Sequence, residues 1–123
     1  VTLITYGSLL DNTLEAAELL SQKGLDTGVL RLLTVAPLPV QKVADALGKG
    51  THVVVLEEVC RGSGVAQELA WQLNRLRPDC RVDCLDLGHR YIPHGSMQDL
   101  YEHCRLDGKS VAEYVLEVCQ NEN

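Results

Sequence analysis

Apolar residues are grouped in two kinds of pattern that alternate along the chain. Short continuous runs bounded by turn residues, at 1–6, 27–33, 52–57 and 81–87, predict β-strands too uniformly apolar to leave one face in water. Between them the spacing becomes helical. Leu10, Leu14, Ala17 and Leu20 form one stripe, and Val40, Val43, Ala44 and Leu47 form a second, with Pro39 opening its first turn. Val65, Leu69, Leu73 and Leu76 form a third. Strand–helix alternation with buried strands implies right-handed crossovers and a mainly parallel sheet covered on both faces, a three-layer α/β/α architecture. After the fourth strand the pattern breaks. A loop over 88–95 leads to a short helix over 97–104 and a last one over about 111–119, with Val111, Val115 and Val118 on its apolar face. Ser96 to Asp99 and Ser110 to Glu113 both have the spacing of capping boxes, so each serine is expected to start a helix.

The chain's 123 residues fit one domain with a core, and 46% hydrophobic residues describe an ordinary globule. No apolar run approaches the roughly 20 residues of a membrane span. Seventeen acidic against eleven basic residues give a formal charge of −6, which repels phosphate backbones. Without a basic stripe and interleaved aromatics, nucleic acid and anionic membranes are excluded as main partners. Five scattered cysteines read as reduced, cytoplasmic thiols used as small core residues. The start inside an apolar strand, without an initiator Met or a signal-peptide pattern, leads us to expect a fragment of a longer chain.

Motifs for independent chemistry are weak. Gly62-Ser63-Gly64 follows a strand and opens a helix, but Gln67 stands where the third glycine of a dinucleotide fingerprint belongs. A tight turn with a cap is the better reading. Gly108-Lys109-Ser110 ends like a phosphate-binding loop, yet His103 replaces its leading glycine. Cys80, Cys84, His89 and His94 lack the spacing of structural zinc ligands, so no metal is expected. Glu57 and Glu58 close the third strand at the carboxyl edge, where α/β sheets place ligands; strand alternation sends them to opposite sides. One reads as a solvated strand end, the other as a loop cap or a contact to a partner domain. Arg90, Tyr91, His94 and Ser96 form a polar and amphipathic cluster at the same edge, either a surface loop or an inter-domain contact. Trp71 lies nearly opposite the apolar stripe of the third helix, which makes it a further interface candidate.

The segment Leu87-Gly88-His89-Arg90-Tyr91-Ile92-Pro93-His94-Gly95-Ser96, followed by Leu100-Tyr101 and Arg105-Leu106-Asp107-Gly108-Lys109-Ser110-Val111, resembles the tail of the C-terminal domain of 1-deoxy-D-xylulose 5-phosphate synthases. Val1 to Gly7, Ala36-Pro37-Leu38 and Val53 to Glu58 resemble the strand-Gly, PL and strand-EE segments of transketolase-type C-terminal domains more widely. The loop after the paired glutamates departs from the family's GGFG-like sequence. The resemblance implies a transketolase C-terminal fold, with a fifth, antiparallel strand preceding the first one here. It also implies a parent enzyme that uses thiamine diphosphate and magnesium to join a two-carbon unit from pyruvate to glyceraldehyde 3-phosphate. This chain has no GDG segment for that cofactor, so the domain is expected to bind none and to be inactive alone. Its implied partners are the preceding domains of the same chain and the second subunit of a homodimer. A transketolase, a 2-oxoacid dehydrogenase β subunit and a protein-docking module are the alternatives.

Overall fold

Each sheet strand is followed by a helix that folds back over it, and the helices fall on both faces. The structure, a computed structural model, describes residues 1–121. β1 (Thr2–Thr5) passes through a 3-10 turn (Gly7–Leu9) into α1 (Leu10–Gln22). β2 (Gly28–Arg31), α2 (Val40–Ala46), β3 (His52–Leu56), α3 (Ala66–Leu76) and β4 (Arg81–Leu85) follow, and α4 (Met97–Cys104) and α5 (Gly108–Gln120) close the chain. The four strands pair in parallel in the order β2-β1-β3-β4. The expected three-layer α/β/α fold is therefore the fold observed.

Strand alternation divides the core in two. Leu3, Val54 and Leu56 point to the layer of α1 and α5, where they meet Leu9, Ala16, Leu20, Val111 and Val115. Ile4, Val53 and Val55 point the other way, to Val40, Val43, Leu69 and Leu73 of α2 and α3. All five residues of β3 are buried because both neighbours and both helix layers cover it. The outer strands β2 and β4 are only half-buried, against the expectation of strands covered on both sides. Continuous apolar sequence does not distinguish an edge from a centre.

Three helix details differ from the periodicity. In α1 the buried face is Thr13, Ala16, Ala17 and Leu20, whereas Leu14 is half-exposed. The preceding 3-10 turn rotates Leu9 inward, and the Thr13 hydroxyl donates to the Leu9 carbonyl at 2.7 Å, which lets a polar residue take a core position. In α3, Ala66 joins Leu69 and Leu73 in the core, while Leu76, the helix's last residue, is half-exposed. α5 begins at Gly108 because the Asp107 carboxylate accepts from the Ser110 N–H at 3.1 Å. Ser110 is thus inside the first turn rather than at the cap. Ser96 does cap α4, accepting from the Asp99 N–H at 3.2 Å. Arg77, just past α3, donates to the carbonyls of Ala44, Leu47 and Gly48, satisfying the end of α2 and binding the two helices together.

Candidate functional site: a closed crevice and an exposed rim

The strand order reverses its sense between β1 and β3, and the crevice outside the carboxyl ends of such a pair is the usual ligand position in open α/β sheets. Here Tyr6 follows β1 and Glu57 follows β3. The Tyr6 hydroxyl donates to Glu57 Oε2 at 2.8 Å. The same carboxylate oxygen accepts from the backbone N–H groups of Val65 and Ala66 at 2.9 and 3.2 Å, so it also caps α3. Glu57 is 1% exposed. Gly64 lies directly over its carboxylate, too close to admit a Cβ. The helix N-terminus that would receive an anion already holds one belonging to the protein. This excludes the dinucleotide reading of Gly62-Ser63-Gly64 and bears out the tight turn, with Gly62 at φ +81°.

Glu58 has the opposite strand parity and reaches the other layer. It accepts from the Ser8 hydroxyl and, at 3.2 Å, from the Tyr101 hydroxyl of α4. The segment after β3 is further joined to the end of β4, with the Arg61 N–H donating to the Gly88 carbonyl and the Leu87 N–H to the Val59 carbonyl, both at 3.0 Å. Arg61 also pairs with Asp86. The two glutamates are therefore tied inward to different layers.

The remaining candidates face solvent. Trp71 is 57% exposed, with the Arg75 guanidinium 5.0 Å from its ring centroid. The spacing argument for an outward Trp71 agrees with this position. Arg90, Tyr91, His94 and Ser96 all lie exposed on the loop after β4, and Ile92 packs back against the α1–α5 side of the core. Trp71 sits on the outer face of α3, away from that loop, so the structure does not gather these residues into one pocket.

Sequence reasoning missed a second polar cluster, at the amino edge of the sheet. His52 Nε2 lies 2.7 Å from Asp83 Oδ2, and Arg81 approaches the same oxygen at 3.1 Å. The signal was available in the pairing of β3 with β4, which sets His52 beside Arg81 and two positions away from Asp83, on the same side of the sheet. His52 Nε2 is taken by Asp83, and Nδ1, although it has no partner, is buried out of reach of a substrate. Burial and Asp83 together push the Tyr114 hydroxyl up from its ordinary range.

Two groups at the carboxyl edge are shifted away from acid–base and nucleophilic work. Burial, then the hydrogen bond and charge of Glu57, push Tyr6 up to about 12. Burial pushes the Cys84 thiol up to about 11, away from thiolate chemistry. Among the described residues no group of three His, Cys, Asp or Glu side chains is placed to hold a metal ion, and no helix is long and apolar enough to cross a membrane. With the α3 N-terminus taken by Glu57, the residues present do not fit thiamine diphosphate and its magnesium.

The Tyr6 shift has a testable consequence. A folded-state value raised above the ordinary 10 favours the native state fully below pH 10, and that contribution disappears as pH rises through about 12. Urea midpoints measured from pH 9 to 12 should fall with pH, and Tyr6→Phe should flatten the fall. Equal slopes in the two proteins would show that Tyr6 is not ionising against Glu57.

The fold and this edge define a transketolase-type C-terminal domain with a closed crevice. Residues 1–111 match the family model of the transketolase C-terminal domain, and the chain belongs to that family. Within it, the chain is similar to 1-deoxy-D-xylulose-5-phosphate synthases: 30% identical to that of Chlorobaculum tepidum over 95% of this chain and 18% of the relative. It is also 30% identical to the pyruvate dehydrogenase E1 β subunit of Dictyostelium discoideum, over 57% of this chain and 20% of the relative. A solved structure described as a split-gene transketolase, inactive β4 tetramer, superposes with a TM-score of 0.72 at 23% identity, covering 94% of this chain and 38% of that one. The chain thus spans about a fifth of the length of the curated relatives it matches.

Proposed function

We propose that this chain is the non-catalytic C-terminal domain of a cytoplasmic, thiamine diphosphate-dependent 1-deoxy-D-xylulose-5-phosphate synthase, and that it serves the packing and homodimer assembly of that enzyme. Similarity to such synthases over nearly the whole chain supports the parent assignment, whereas the dehydrogenase relative matches little more than half of it. One observation carries the non-catalytic role: the crevice where an α/β sheet would take a ligand is filled by Glu57, held by Tyr6 and the start of α3. Trp71 and the loop residues Arg90, Tyr91, His94 and Ser96 are the proposed contacts to the rest of the enzyme. Glu58 supports them by fixing Tyr101 of α4 next to that loop.

Titration calorimetry of the 123-residue chain with thiamine diphosphate and magnesium is the test. The expected result is no saturable heat. Saturable binding with a micromolar constant would place cofactor chemistry in this domain and overturn the proposal.

A further inference from the structure

Seventeen acidic residues are spread along the chain, and the two longest stretches without one are 27–44 and 87–98. They contain Arg31, Lys42, Arg90, His89 and His94 instead. The topology brings both to the carboxyl edge, one running out of β2 and the other out of β4, the two outer strands. These stretches also hold four large apolar side chains left in water: Leu33 is 83% exposed, Val35 37%, Tyr91 82% and Met97 54%. Leu33 borders an open cleft of about 260 Å³ whose walls include Leu30, Leu32, Pro39 and Val43. A single exposed leucine needs no explanation. Four of the seven large apolar residues exposed among the described residues, gathered in the two longest acid-free stretches of an acidic chain, at both ends of one sheet edge and beside an apolar cleft, do.

Building on the interface reading above, we infer that Leu33 and Val35 form a second docking anchor. The occupant is the preceding part of the same polypeptide, presenting an apolar side chain to the Leu33 cleft and carboxylates to Arg31, Lys42 and Arg90. Charge selects this occupant over a second copy of the domain. Two copies joined by this edge would bring basic, acid-free stretches against each other, which costs rather than gains. In the curated relatives, four-fifths of the polypeptide lies outside the matched region, so a partner of sufficient size is present in cis.

The test is limited proteolysis of the full-length polypeptide, reading the rate at which the C-terminal fragment is released, with sedimentation velocity on the same samples. Leu33→Asp puts a buried charge into the docked face and should speed release roughly tenfold, as the undocked population rises. The same substitution should leave the urea midpoint of the 123-residue chain unchanged, because Leu33 is exposed there. Normal release from Leu33→Asp together with fast release from Tyr91→Asp would overturn the second anchor while leaving the interface reading intact. Normal release from both would overturn both. Loss of the dimer with normal release would identify a second copy as the occupant and overturn the inference.

Discussion

Replacing Glu57 by Ala is expected to remove about 3 kcal/mol of stability, the size appropriate to a buried carboxylate whose three donors are left without an acceptor. The donors are the Tyr6 hydroxyl and the N–H groups of Val65 and Ala66, and water has little access to replace the lost oxygen at a residue 1% exposed. The effect has two structural parts: α3 loses its cap, and the ends of β1 and β3 lose their bridge. Glu58→Ala is the internal control. Its partners Ser8 and Tyr101 hold it at a more open site, so its removal should cost under about 1 kcal/mol. Urea unfolding of both variants, followed by far-UV circular dichroism, gives the comparison. Equal costs for the two glutamates would mean that Glu57 is not the clamp of the crevice.

Gly64→Ala should be about as damaging, also about 3 kcal/mol, for a steric reason. The new Cβ would fall 2.6 Å from Glu57 Oε1 and against the rest of that carboxylate, whose position is fixed by its three donors. A flexible surface side chain would swing aside; this one would have to release the helix cap. The two substitutions are therefore coupled. In a Glu57→Ala background the obstruction is gone, and Gly64→Ala should add less than about 1 kcal/mol. A double-mutant cycle measures the difference, and simple additivity would contradict the contact on which the closed crevice rests.

Much of this was legible from the residues, but not in the same way everywhere. The strands and the α2 stripe were readable because Val53 to Leu56 and Val40, Val43, Ala44 and Leu47 each sit wholly within one kind of environment. The α1 stripe was not, since a 3-10 turn before the helix shifts its phase and Thr13 satisfies its own hydroxyl locally. At the α5 start, two residues competed for the cap, and Asp107 took the place assigned to Ser110. The outward position of Trp71 followed from helical spacing alone. The inward position of Glu57 did not follow from composition, although strand parity contains it: Glu57 shares the side of Val53 and Val55, which is the side on which α3 begins. Leu33 was absorbed into a strand in the sequence reading, and Val35 lay just beyond it. β2 stops at Arg31, so they extend past the sheet into the following loop.

The central claim, that this domain acts by docking through its outer surfaces, is tested most directly by hydroxyl-radical footprinting of the 123-residue chain against the full-length polypeptide. Trp71, Tyr91 and Met97 are reactive side chains that are at least half-exposed in the domain alone. The account predicts ready oxidation of all three in the 123-residue chain. It predicts protection of Trp71 and Tyr91, together with Met97 beside the loop, in the full-length polypeptide. Equal oxidation of these residues in both proteins would contradict it.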